Sequence, residues 1–165
     1  MARWAVERGA EHVVLLSRSG PDAEGVETSR ADVERLGARV TVVACDVADR
    51  DALSDVVESV RDTLRMVVHA AGVRQALTDL DTVTADRVTA ELRVKATGAA
   101  HLDELTRDLE LDAFVLFSSG TATWGSAGQV GCAAADAALD ALAAHRRARG
   151  QTALSVAWGP GPRRA

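Results

Sequence analysis

The chain has 165 residues, 47% of them hydrophobic, which suits one domain with a sizeable core. Its formal net charge of −5 argues against nucleic acid or an anionic membrane as a partner. We read no membrane-spanning run, no secretion signal and no disulfide framework in a chain with two cysteines, so we expect a protein of the reducing cytoplasm.

Five short apolar runs rich in β-branched residues predict strands that are covered on both faces. They occupy residues 12–17, 40–44, 66–68, 114–117 and 153–157. Segments with helical periodicity lie between them, over residues 22–36, 49–64, 84–105 and 129–149. Asp49 and Thr84 are candidate N-caps, and Gly37 and Gly150 stand where helices should end. Repeated strand–helix units predict an α/β fold with a doubly wound parallel sheet of the Rossmann-like kind.

The two ends of the chain differ from a complete dinucleotide-binding fold. Residues 2–8 are typical of the second half of a helix, but the strand and glycine-rich turn that should precede that helix are not in the sequence. At the other end, five residues follow Pro160, where structure that covers a substrate is normally found. We therefore expect residues 1–165 to form one incomplete domain of a larger unit.

Candidate cofactor-binding residues follow three successive predicted strands, at the strand ends where open α/β sheets bind ligands. Arg18 follows the first strand, where a cation favours the 2′-phosphate of NADPH; a solvated surface arginine is the alternative. Asp46, beside Val47, follows the second strand, and its carboxylate could accept a hydrogen bond from an adenine amine or cap a helix. Small residues follow the third strand and would let the backbone approach a flat ring. They are Ala70, Ala71 and Gly72.

Lys95 belongs to a series of positions spaced four and three residues apart along the predicted helix 84–105, which places it on the face that turns to the core. The other members of the series are Val88, Leu92, Ala99 and Leu102. A buried ammonium group needs a partner or a cavity, so we expect Lys95 to lie beneath an active site; a stem that reaches the surface is the alternative. Glu91, one turn earlier, is a candidate ion-pair partner.

The segment 114–144 joins an apolar strand to an alanine-rich helix through a glycine-rich loop. The strand ends at Ser119, and Cys132 stands thirteen residues later, near the start of the helix. Asp136 lies one turn after Cys132; the resemblance given below makes it a candidate partner for Lys95. On composition alone, Cys132 can also be a small buried apolar residue of the core.

Together these segments resemble the ketoreductase domain of modular type I polyketide synthases, within the short-chain dehydrogenase/reductase superfamily. The resemblance covers nearly the whole chain, through ERGAEHVVLLSRSG, VVHAAGV, VKATGAAHLDELT, FVLFSSGTATWGSAGQ and SVAWGP. It implies NADPH-dependent reduction of a β-ketoacyl thioester that an acyl carrier protein holds, alongside other domains of a polyketide synthase and without a metal ion.

The family's active site contains lysine, serine, tyrosine and asparagine. By this resemblance Lys95 and Ser119 match the first two, while Cys132 takes the place of the tyrosine and Asp136 that of the asparagine. Trp124, eight residues before Cys132, resembles the substrate-side tryptophan of A-type ketoreductases, although it could simply cover the loop. The Leu-Asp-Asp signature of the B type is absent, since Arg-Gln-Ala occupies residues 74–76.

The chain contains no tyrosine, so the family's proton donor is missing. A cysteine side chain is shorter than a phenol, and its sulfur should lie several Å short of a substrate carbonyl. We therefore expect a domain that has lost reduction and persists as a scaffold, with little or no NADPH binding by these 165 residues. A working reductase that is incompletely recorded is one alternative. A redox-silent epimerase is another, although epimerising relatives resemble reductases that keep serine and tyrosine.

Overall fold

The computed structural model describes residues 1–72 and 77–159, and helices alternate with strands through both ranges. The strands are β1 (His12–Ser17), β2 (Arg39–Ala44), β3 (Met66–His69), β4 (Ala113–Ser119) and β5 (Leu154–Trp158). The α-helices are α1 (Ala2–Glu7), α2 (Val26–Glu34), α3 (Arg50–Val60), α4 (Ala85–Leu92), α5 (Gly98–Leu105), α6 (Thr121–Trp124) and α7 (Val130–Ala148). All five predicted strands are present; β1 has the predicted bounds, and the ends of the other four differ from the predicted ones by at most two residues.

The strands pair in parallel and fall into two hydrogen-bonded sheets. β1 pairs with β2, from His12 opposite Arg39 to Ser17 opposite Ala44. In the second sheet β4 lies between β3 and β5. Within the described residues, β1 and β3 are not hydrogen-bonded to each other. The parallel strands joined by helices confirm the predicted α/β, Rossmann-like fold.

The core is centred on β4, whose Phe114 and Leu116 are both 0% exposed. Leu53 of α3 and Leu139 of α7 pack in the same cluster. This cluster also includes Cys45, which directly follows β2, so the two sheets share one core. The burial of alternate and adjacent β4 residues agrees with a strand that is covered on both faces.

Two of the predicted helices are interrupted. The segment 22–36 becomes α-helical only at Val26, because Gly25 adopts a left-handed conformation (φ +74°) after the 3₁₀ turn Gly20–Asp22. The segment 84–105 is divided into α4 and α5 by a π-helical turn over Arg93–Thr97. No helix in the described part of the chain is long and apolar enough to cross a membrane.

The predicted helix ends are confirmed by their hydrogen bonds and backbone angles. The Asp49 side chain accepts the N–H of Ala52 at 3.1 Å at the start of α3, and Thr84 accepts that of Arg87 at 3.3 Å at the start of α4. Gly37 (φ +91°) and Gly150 (φ +78°) adopt the left-handed conformation that follows many helices. Cap chemistry therefore fixes where these helices begin and where the chain turns into β2 and β5.

Candidate active site

Three elements bring Lys95, Ser119 and Asp136 together at the carboxyl end of β4. Asp136 lies in α7 and is 0% exposed. It forms an ion pair with Lys95 of the π-helical turn, as the sequence predicts. Ser119, the last residue of β4, donates its hydroxyl to Asp136 Oδ2 at 2.6 Å. The side chains identified separately in the sequence therefore form one contact cluster.

Two further side chains complete the cluster around Asp136. Thr121 Oγ1 lies 3.2 Å from Asp136 Oδ2 and 2.5 Å from Ser119 Oγ. Cys132 Sγ donates to Asp136 Oδ2 at 3.5 Å from one turn earlier in α7. Thr121 was not identified from the sequence. A hydroxyl two residues after a strand-ending serine, in a turn that starts a helix, was the available signal.

The polar side chains of this cluster form hydrogen bonds with one another. The Asp136 carboxylate receives one ammonium group at Oδ1, and two hydroxyls and one thiol at Oδ2. Every buried side-chain nitrogen or oxygen of residues 1–72 and 77–159 has a partner. Ser119 therefore donates its hydroxyl hydrogen within the cluster, to Asp136, and its oxygen also lies 2.5 Å from Thr121 Oγ1.

Cys132 is half-buried, and its thiol contacts a carboxylate instead of belonging to the apolar core. Burial raises the pKa of the Cys132 thiol, and the negative charge of Asp136 raises it further. The positive charge of Lys95 acts in the opposite direction and is outweighed. The group in the position of the proton donor is thus a neutral thiol of weakened acidity.

The expectation that Glu91 pairs with Lys95 is wrong. Glu91 is 7% exposed and forms an ion pair with Arg87 at 3.6 Å. Its carboxylate also occupies the space where a side chain at Gly131 would lie, at the start of α7. The π-helical turn separates Lys95 from the regular course of α4, so the one-turn spacing from Glu91 does not bring the two charges together.

All six candidate cofactor residues line one cleft of about 380 Å³ at the carboxyl ends of β1, β2 and β3. They are Arg18, Asp46, Val47, Ala70, Ala71 and Gly72. A Cβ built on Gly72 would lie 3.5 Å from Cε of Lys95, so the cleft reaches the cluster around Asp136. Sequence reasoning thus identified residues that the fold brings together from three separate strand ends.

Asp46 does not act as a helix cap, because Asp49 holds that position in α3. Its Oδ1 accepts the N–H of Ala48 at 3.0 Å, and its Oδ2 forms an ion pair with Arg93 at 3.1 Å. Arg93 was not identified from the sequence, since it reaches Asp46 only through the π-helical turn. The carboxylate is therefore held at the rim of the cleft by a turn on one side and a cation on the other.

Trp124 ends the short helix α6 and is 75% exposed. Its ring lies against Gly120, where an added Cβ would overlap it. It is absent from the lining of the cleft and stands on the outer side of the loop that follows β4. Residues 74–76, in the position of the B-type signature, and Pro160 lie outside the described residues.

The cleft fits part of NADPH. Arg18 is exposed at its mouth, and within the described residues its guanidinium has no protein partner, as a phosphate-binding cation requires. The small residues after β3 leave room for a flat ring beside Lys95. The 165 residues contain no G-x-G-x-x-G turn to bind the pyrophosphate. The residues present therefore fit the two ends of the cofactor.

The KR domain family matches residues 1–162. Polyketide synthase GfsA of Streptomyces halstedii is 51% identical over 164 residues, which make up 97% of this chain and 2% of that protein. Erythronolide synthase EryA3 of Saccharopolyspora erythraea is 47% identical over 163 residues, or 96% of this chain and 5% of that protein. The chain therefore spans a few per cent of the length of these curated relatives.

Solved structures agree with the sequence relatives. An A-type ketoreductase from a modular polyketide synthase is 54% identical with a TM-score of 0.92, over 96% of this chain and 34% of that one. The first ketoreductase of the tylosin polyketide synthase is 45% identical with a TM-score of 0.88, over 99% of this chain and 36% of that one. The chain belongs to the KR domain family, the ketoreductase domains of modular polyketide synthases.

Proposed function

We propose that this ketoreductase domain has lost reduction and acts as a scaffold within its polyketide synthase. The family reaction reduces a β-ketoacyl thioester on an acyl carrier protein, and NADPH supplies the hydride when it is bound. The observation that carries the proposal is the Asp136 carboxylate, which takes hydrogen bonds from both Lys95 and Ser119. Lys95 and Ser119, the two side chains that the family would use on a substrate, thus both donate to Asp136 instead.

Ketone reduction requires a donor that holds the carbonyl oxygen as its negative charge develops. Ser119 could do so only by turning its proton away from Asp136, which would leave a buried carboxylate with one donor fewer. Lys95 would have to leave a buried counter-charge for the same purpose. The loss of the Ser119 and Lys95 contacts to Asp136 would therefore raise the barrier to reduction.

Reduction also requires a proton donor, and this is the second support for the proposal. The Cys132 thiol donates to Asp136, and its raised pKa makes it a weaker acid than a free thiol. A positioned general acid contributes about 10²- to 10⁴-fold to the rate of such reactions. We infer that the loss of this contribution lowers the rate of reduction by about that factor.

The isolated 165 residues are expected to bind NADPH weakly. The pyrophosphate normally takes hydrogen bonds from the backbone of a glycine-rich turn and from a helix N-terminus. Arg18 and Asp46 are placed to bind only the adenosine end of NADPH. We expect no saturable binding below about 1 mM NADPH in a fluorescence titration of the chain. Saturation at micromolar concentrations would contradict this expectation.

One observation favours a second function, a reductase of low efficiency. The Thr121 hydroxyl lies 2.5 Å from Ser119 Oγ and is a possible substitute proton donor. A Thr121→Val variant separates the two functions, because it removes the hydroxyl and keeps the side-chain volume. If residual reduction is present and falls in this variant, the second function is the correct one.

The proposal is tested by placing residues 1–159 in the solved A-type ketoreductase chain at the positions they match. NADPH oxidation is then followed with a simple β-ketothioester, and the unchanged A-type chain is the positive control. We expect a rate at least about 10²-fold below that control. Binding of NADPH by the graft is measured in parallel, so that failed folding is not mistaken for a silent site. Turnover at the rate of the unchanged chain would overturn the proposal.

A further inference from the structure

Lys95 lies in the middle of the π-helical turn Arg93–Thr97, between α4 and α5. A π-helical turn displaces backbone carbonyls from the regular helical hydrogen-bond pattern, and such turns are frequent at functional sites. The carbonyl oxygen of Lys95 lies 2.9 Å from Nε2 of His69. Because a carbonyl can only accept, this ring nitrogen must carry the hydrogen and donate it. The turn is therefore held by a side chain from the neighbouring strand.

His69 is suited to this contact by its position and its charge state. It is the last residue of β3, pairs in register with Leu116 of β4, and is 3% exposed. Burial lowers the pKa of the imidazole, and the charge of Lys95 lowers it further, against the opposing effect of the Lys95 and Val94 carbonyls. The ring is therefore a neutral donor fixed to the central strands of the sheet.

Close packing leaves the imidazole little freedom to move. A Cβ built on Gly98, the first residue of α5, would lie 3.3 Å from Cε1 of His69 and 2.7 Å from Cγ2 of Val47. The start of α5 thus sits directly against the ring. A shift of the π-helical turn would require the ring, α5 or β3 to move with it.

We propose that His69 is a positioning residue for Lys95. Its hydrogen bond holds the π-helical turn and so sets where the ammonium group lies relative to Asp136. This role concerns the place of Lys95 in the fold and stands whether or not reduction is lost; only the catalytic meaning of that place rests on the function proposed above.

The test uses the fact that Lys95 is the only lysine of the chain. Lysine labelled with ¹³C at Cε gives a single side-chain resonance in the folded protein, and reductive methylation with formaldehyde follows its accessibility. In His69→Leu we expect the resonance to move towards that of free lysine and methylation to accelerate about fivefold, the factor for one lost hydrogen bond. His69→Gln keeps an N–H donor and should restore both values towards those of the native protein.

Val67→Ala is the matched control, because Val67 is buried in the same strand and belongs to the core. It should lower the thermal midpoint and leave the lysine resonance in place. If His69→Leu and Val67→Ala destabilise alike and neither moves the resonance, His69 is only a core residue and the proposal is wrong. Should His69→Leu fail to fold, ¹⁵N-histidine spectra of the native chain decide the question. A hydrogen on Nε2 supports the proposal, and a hydrogen on Nδ1 alone overturns it.

Discussion

Two buried carboxylates, Asp136 and Asp103, lie near opposite ends of β4 and bind different kinds of partner. Asp136, at the carboxyl end of β4, binds one ammonium group, two hydroxyls and a thiol. Asp103, in α5, binds three guanidinium groups near the amino ends of β4 and β5. The partners of Asp103 serve only as cations and hydrogen-bond donors, whereas those of Asp136 are groups capable of chemistry. A buried carboxylate thus binds structural cations at one end of the sheet and, in the function proposed above, holds reactive groups away from a substrate at the other.

The Asp103 cluster contains a buried cation, which the Asp136 cluster does not. Arg146 is 1% exposed, donates to Asp103 at 2.5 Å, and stacks on the ring of Phe114 with 3.9 Å between the guanidinium carbon and the ring centroid. Burial by itself raises the pKa of Asp103, but hydrogen bonds and positive charge from the arginines outweigh it and hold that pKa below its usual range. Lys95, in contrast, is 19% exposed, so the cation of the Asp136 cluster can reach water.

The largest effect in this comparison is expected for Asp103→Ala. Removal of the carboxylate leaves Arg146 as an unpaired buried charge, which costs about 3–5 kcal/mol in the free energy of unfolding. Urea unfolding followed by circular dichroism measures the loss. Asp108→Ala is the control, because that carboxylate forms an exposed pair with Arg61 and should hardly change the midpoint. Equal effects of the two substitutions would show that burial of the Asp103 cluster does not matter.

A smaller loss of about 1–2 kcal/mol is expected for Asp136→Asn. The amide oxygen can still accept from Ser119 and Thr121, and Lys95 can turn to solvent. The same urea experiment gives the value, and Asp103→Asn is the matched substitution. A larger loss for Asp136→Asn than for Asp103→Asn would contradict the view that the Asp103 cluster contributes more to stability.

The third expected effect is on the dependence of stability on pH. The folded-state pKa of Asp103 lies below its unfolded value, so its contribution is fully present at neutral pH and is lost as the pH falls below about 4. Unfolding free energies measured from pH 6 to pH 3 should therefore fall more steeply in the native chain than in Asp103→Asn. Parallel curves for the two proteins would mean that the arginines do not favour the charged form of Asp103.

Local patterns in the sequence predicted much of the fold. The apolar runs located all five strands, and Asp49 and Thr84 were identified as caps because a cap depends on neighbours only two or three residues away. The π-helical turn at Arg93–Thr97 was missed, since its hydrogen-bond partner His69 lies in a strand more than twenty residues earlier. The Asp103 cluster joins residues from two helices and has no local pattern to reveal it.

The candidate site was predicted in part for the same reason. Helical spacing placed Lys95 on the inward face, and the family resemblance placed Asp136 at the position of the asparagine beside the lysine, which was enough to expect the ion pair of Lys95 with Asp136. The prediction that Glu91 pairs with Lys95 was wrong because the π-helical turn takes Lys95 out of the regular helical spacing from Glu91. Thr121 was missed because its link to Asp136 joins a turn to a helix fifteen residues away. Spacing within one helix is readable from sequence, but contacts between elements are not.

The central claim, that Cys132 and Asp136 together silence the site, is tested most directly by reversing both in the ketoreductase graft. We expect the graft with Cys132→Tyr and Asp136→Asn to reduce the β-ketothioester roughly 10²-fold faster than the unmodified graft, the scale of one general acid. Cys132→Tyr alone should recover less, because Asp136 would still hold Lys95 and Ser119. A double variant that stays at background, although it folds and binds NADPH, would contradict the claim.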